Sequence, residues 1–161
     1  MPTNNQPPRP QEFRARSLEP CHDLVGAEAS QREGSQRMEQ TCGGCACGAV
    51  RFVATGEPDR VGLCHCLDCR KHHGALFYAA AIYPQDAVQI TGETRSYQGR
   101  HFCPNCGSSV FARTGAEIEL YLGALDAPNQ FQPSYECWTA RRETWLPAFA
   151  DVTGFSQDRQ I

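Results

Sequence analysis

The chain has 161 residues, 40% of them hydrophobic and 20% charged, and a formal net charge of −3. This suits one globular domain with or without a tail. It argues against a coat for nucleic acid, whose phosphates need a basic face. No run of about 18 apolar residues is present to span a membrane, and no apolar secretory stretch opens the chain, so a cytoplasmic protein is expected.

In chain order, residues 1–40 are the poorest in apolar surface. Pro2, Pro7, Pro8, Pro10 and Pro20 interrupt any periodicity, and Gln, Glu, Arg and Ser dominate. Such a segment cannot offset its ordering entropy, so a disordered tail is expected. The methionines are Met1 and Met38, and a purine-rich codon pair for Glu33-Gly34 precedes Met38. Met38 is therefore expected as a true or alternative start, with residues 1–37 dispensable.

From Thr41 the strand signals are short and frequent. Residues 49–55 alternate and are rich in β-branched and aromatic side chains, and 76–83 form an apolar run closed by Pro84. Further strands are expected at 87–91, 109–114, 117–125 and 135–139, separated by Gly and Pro. One helical turn is expected at 67–73. This reads as an all-β, mainly antiparallel domain over 41–150, followed by a C-terminal tail, 151–161. A core of that size gains from a structural metal.

The 10 cysteines carry most of the chemical information. Seven form tight clusters: Cys45-x-Cys47, Cys64-x-Cys66-x-x-Cys69 and Cys103-x-x-Cys106. Neighbours this close do not staple distant loops by pairing within a cluster, but they can share one metal ion, and zinc is the default for such sites. In an extended segment Cys45 and Cys47 face the same way. Pro104 and Gly107 shape Cys103–Cys106 into a knuckle. Two plus two thiolates close a tetrahedral, structural site; the alternative is a set of separate redox pairs. Cys64, Cys66 and Cys69 supply three thiolates, the pattern of a catalytic zinc with an open position for water or a substrate thiolate. A second closed site is the alternative, with His72, His73 or His101 as fourth ligand. His65 would point away from its flanking cysteines. Arg70 and Lys71 follow directly, and such cations depress thiol pKa and attract anions. Cys21, His22, Cys42 and Cys137 read as bystanders. Trp138 and Trp145 read as packing, and Arg141 and Arg142 as candidates to line a site for an acidic ligand.

The segments CGGCACGAVRF, CHCLDCRKHHGALF, HFCPNCGSSVF and PSYECWTARRETWLP, in this order over residues 42–148, resemble the glutathione-dependent formaldehyde-activating enzyme family, which includes centromere protein V of vertebrates. The resemblance implies a zinc-bound β-tent with one or two short helical turns. It implies two zinc ions: a structural one on Cys45, Cys47, Cys103 and Cys106, and a catalytic one on Cys64, Cys66 and Cys69. The implied activity is that of a carbon–sulfur lyase joining glutathione to formaldehyde as S-hydroxymethylglutathione, with Arg70, Lys71, Arg141 or Arg142 holding the carboxylates of the acidic tripeptide. His72 and His73 stand where many members carry small residues. The other readings are a non-catalytic zinc-stabilised binding module and a thiol or metal sensor. From residue 41 onward acidic residues outnumber basic ones, which disfavours a nucleic-acid partner.

Overall fold

The computed structural model describes residues 39–159. The expectations for residues 1–38, among them Cys21, His22 and Met38, lie outside these. The described chain is mostly β. Its strands are β1 (Gln40–Gly44), β2 (Arg51–Thr55), β3 (Arg60–Cys64), β4 (Tyr78–Pro84), β5 (Val88–Thr91), β6 (Arg95–Tyr97), β7 (Arg100–Phe102), β8 (Ser109–Thr114), β9 (Glu117–Tyr121), β10 (Tyr135–Cys137) and β11 (Thr153–Gly154). One helix, α1 (Leu67–His73), follows β3. Among the described residues no helix is long and apolar enough to cross a membrane.

The strands form two sheets. The smaller has the order β1-β2-β5, and the larger β11-β10-β3-β4-β9-β8-β7-β6. Pairing is antiparallel except where β10 lies parallel to β3 and β11. Period-two alternation decides which face of the large sheet is buried. Val61 and Leu63 of β3, Ala81 and Tyr83 of β4, and Ile118 and Leu120 of β9 are buried. Val50, Phe52 and Ala54, from β2 and the residue before it, join Phe111, Ile118 and Leu120 in one cluster. Each large side chain so buried contributes about 1.5–3 kcal/mol. The intervening positions, Arg60, Gly62 and Cys64 on β3 and Glu117, Glu119 and Tyr121 on β9, face the other way and line a cleft. Gly62 is required there: a Cβ would stand 2.2 Å from the Tyr135 ring.

The helical turn over 67–73 and the strands over 109–114 and 87–91 match the sequence reading closely. The 117–125 segment does not continue as strand; after Tyr121 it tightens into a 3-10 turn, Leu122–Ala124. Strands β1, β3, β6, β7 and β11 were not expected. The segment read as a C-terminal tail adds β11 beside β10, and Trp138 N–H and Thr139 N–H donate to Gln157 O and Phe155 O at 2.9 and 3.0 Å. Trp145, expected to pack, is 67% exposed.

Candidate functional site

Two groups of cysteines could each hold a metal ion. The first joins the turn between β1 and β2 (Cys45, Cys47) to the turn between β7 and β8 (Cys103, Cys106), with all four sulfurs within 4.8 Å of one another. It thereby clasps the small sheet to the large one. Cys45 Sγ lies 3.5 Å from Cys47 Sγ, which lies 3.7 Å from Cys103 Sγ. The donor set fits a thiophilic ion, because N–H groups already point at the sulfurs: Val50 N–H to Cys45 at 3.2 Å and the Asn105 amide to Cys47 at 3.3 Å. Ser108 Oγ lies between the turns, accepting from Ala46 N–H at 3.1 Å and touching Cys106 Sγ at 3.3 Å. Gly107 curls the knuckle at φ 75°. A hydrogen bond from the Ala49 backbone, then one from Asn105, lowers the Cys47 pKa. Burial raises that of Cys106, yet hydrogen bonds led by Ser108 hold it at about 6, while burial pushes Cys103 up to about 11.

The second group is Cys64, Cys66 and Cys69, again within 4.8 Å. Cys64 ends β3. Cys66 is the N-cap of α1, its sulfur accepting from Cys69 N–H at 3.3 Å. Cys66 N–H reaches Cys64 Sγ at 3.4 Å, and the Cys66 thiol donates to Cys69 Sγ at 3.1 Å. Hydrogen bonds from Cys64, Cys66 and the Arg100 guanidinium hold Cys69 down at about 6 against its burial. The hydrogen bond to Cys69, then burial, pushes Cys64 up. One thiolate shared among three sulfurs and facing a cation is a donor set ready for a soft metal.

Among the described residues no histidine joins this group. His73 stacks on Tyr78 with ring centroids 5.2 Å apart and meets Tyr121 edge-on at 4.4 Å. Burial, then His72 and Arg100, pushes its pKa down to about 4. His72 lies edge-on to His73. His101 stacks on Phe111 and contacts Thr94 Oγ1 at 3.0 Å. His65 is fully buried, its Nε2 3.1 Å from Glu136 Oε2.

The three sulfurs stand at one end of a cavity of about 390 Å³ whose lining includes Arg60, Arg100, Glu119, Tyr78, Tyr121 and Arg159. The four basic residues singled out in the sequence do not line it. Arg70 is held by Glu143 and by Arg141 O. Lys71 borders a shallow groove with Leu67 and Leu76. Arg141 lies over the Trp138 ring at 4.4 Å, and Arg142 donates to Glu136 at 2.8 Å. Arg100 and Arg159 line the cavity instead, and sequence reasoning missed both. Cys137, read as a bystander, is set beside Cys64 in the same lining by the parallel register. A signal existed for Glu119 and Tyr121, since alternation in EIELY puts them on one face. None existed for Arg100, whose place depends on strand register. Cys42 is buried outside both groups.

Four cysteines brought together from two sheets, with three more lining a cleft, define a cysteine-rich β protein whose clusters could hold metal. The family model described as glutathione-dependent formaldehyde-activating enzyme matches residues 40–141, and the chain belongs to that family. A Halomonas elongata protein named "Putative glutathione-dependent formaldehyde-activating enzyme" is 35% identical over 102 residues, a match covering 53% of this chain and 65% of the relative. The chain thus spans just under two thirds of that relative's length.

Proposed function

We propose that the protein is a zinc-dependent carbon–sulfur lyase that forms or cleaves a thiol–aldehyde adduct such as S-hydroxymethylglutathione. In this reading Cys64, Cys66 and Cys69 hold the catalytic ion, and Cys45, Cys47, Cys103 and Cys106 hold a structural one. The observation that carries it is the asymmetry of the two groups: four thiols form a closed set, whereas three open onto a cleft. The name of the Halomonas elongata relative supports the thiol and aldehyde classes. Zinc on three thiolates supplies Lewis acidity and lowers the pKa of a thiol that it binds.

The chain's own residues do the rest. In the forward direction the substrate's sulfur bonds to the carbonyl carbon, and the thiol proton ends on the carbonyl oxygen; the reverse breaks the same bond. Arg100, already donating to Cys69, offers positive charge where the substrate's sulfur and the developing oxyanion would lie. Burial raises the Tyr78 pKa, so its phenol stays a proton donor at neutral pH. Arg100 and Arg159 take the part expected of Arg70, Lys71, Arg141 and Arg142 in attracting the ligand's carboxylates.

The test is thiol binding and turnover in parallel. Millimolar glutathione should perturb the visible spectrum of cobalt-substituted protein, and adduct formation should exceed the uncatalysed rate. Cys66→Ser should abolish both. An unperturbed spectrum with no turnover would leave the binding-module reading.

A further inference from the structure

Among the described carboxylates lining the cleft, one is half-buried without a cationic partner. The cleft's acids are Glu117, Glu119 and Asp158, and its arginines are Arg60, Arg100 and Arg159. Arg60 and Glu117 neutralise one another through two hydrogen bonds of 2.7 and 2.6 Å. Asp158 is exposed to solvent and accepts from the backbone N–H of Arg159 at 2.9 Å. Arg100 is engaged with Cys69, and Arg159 lies over the Tyr135 ring at 5.1 Å. Glu119 has a neutral partner: the Tyr78 hydroxyl donates to its Oε2 at 2.6 Å. Among the described residues no cation pairs with it. A half-buried carboxylate walled by Tyr78 and Tyr121 is incompletely compensated. A ligand cation would complete it.

Register fixes where that cation would sit. Arg100 pairs with Ala112, Ala112 with Glu119, Glu119 with Ile82, and Ile82 with Arg60, a single row across the open face. Arg100 and Glu119 are two strands apart in it, about 10 Å. Cys64 pairs with Tyr78, and the Tyr78 hydroxyl donates to Glu119 Oε2 at 2.6 Å, so one tyrosine side chain bridges from the Cys64 pair to the carboxylate. The sulfur and amino nitrogen of extended glutathione stand about 10 Å apart. The cleft therefore offers a sulfur site, a positive site at Arg100 and a negative site at Glu119, in an arrangement a simple acidic thiol cannot fully match.

We infer that Glu119 is a specificity-determining residue that reads an ammonium group on the ligand, so that the cleft selects zwitterionic peptide thiols over thiols that are only anionic. This rests on the reading that the cleft binds a peptide thiol, and the test separates the two. S-methylglutathione and its N-acetyl derivative carry no free thiol and differ at the amino nitrogen, an ammonium in the first and a bulkier neutral amide in the second, a steric difference that the Glu119 variant controls for. Calorimetry on the metal-loaded protein at pH 7 should give about tenfold tighter binding of the amine form, as for a partly exposed charged hydrogen bond. Glu119→Gln keeps an acceptor for Tyr78 and should bring the two affinities within about twofold of one another, with metal content unchanged. Equal affinities in the wild type, no binding of either probe, or a preference that survives in Glu119→Gln would each overturn the inference. A cobalt spectrum indifferent to glutathione, beside an intact amine preference, would overturn the lyase reading and leave this one standing.

Discussion

Cys45, Cys47, Cys103 and Cys106 come from two turns on different sheets, whereas Cys64, Cys66 and Cys69 lie within six residues at a strand–helix junction. The difference in sequence span separates what each group can do for the fold. An ion on the first group would close a loop of more than fifty residues and bind two layers together. An ion on the second would hold a segment that β3, its β10 neighbour and the helical cap already organise, as His65 N–H donating to Cys137 O at 3.0 Å illustrates. The sulfur chemistry is the same in both; the surroundings are not. The first is tied up by Ser108, Asn105 and Val50, while the second meets Arg100 and open space.

The largest expected effect follows from the first group. Cys103→Ser should leave the chain largely unfolded by circular dichroism, because structural zinc in small domains contributes about 10 kcal/mol or more, comparable to the whole stability of a domain. Cys66→Ser should stay folded and lose one ion by elemental analysis. Equal loss of structure in both would break the comparison.

A smaller effect is expected at Gly107. Nothing stands within 4 Å of a Cβ there, so Gly107→Ala meets only the strain of φ 75°. It should cost about 1 kcal/mol in chemical denaturation. A cost several times larger would mean that the knuckle itself had been lost.

Removing metal should expose the contrast in thiol chemistry. Cys69, lowered to about 6, is a thiolate at pH 7, whereas Cys64 is pushed upward and stays a thiol. Brief iodoacetamide treatment of chelated protein should label Cys69 ahead of Cys64, with a pH midpoint near 6 for Cys69. Arg100→Met removes a donor to the thiolate, so the midpoint should rise. An unchanged midpoint would detach Arg100 from the site.

The smallest effect belongs to the far end of the cleft. Arg60 holds the Glu117 carboxyl below its ordinary value. The pair's contribution is therefore present above the usual carboxylate pKa and fades as pH falls through the lowered one. Both partners are partly exposed, so Arg60→Met should cost at most about 1 kcal/mol at pH 7 and less in acid, measured by thermal denaturation.

What could be read from the sequence was local. The cysteine spacings and the turn over 67–73 involve neighbours a few residues apart, and the alternation in 109–114 is carried by single strands. β3 escaped notice because Gly62 breaks its pattern, and β6 and β7 because each has three residues. The cleft was legible only in fragments, in its three cysteines and in the alternation that puts Glu119 and Tyr121 on one face. Its floor is the row from Arg100 to Arg60, assembled from five strands whose register no short stretch encodes. Sequence proximity drew attention to Arg70 and Arg142, whose partners Glu143 and Glu136 become visible only once β10 lies beside β3.

The division of labour between the clusters is tested most directly by native mass spectrometry during chelator titration of the zinc-loaded protein. Two ions per chain should be seen, the first leaving at low chelator with the folded charge-state distribution intact, and the second leaving together with unfolding. Simultaneous loss of both ions, or a folded chain after both have gone, would contradict the account.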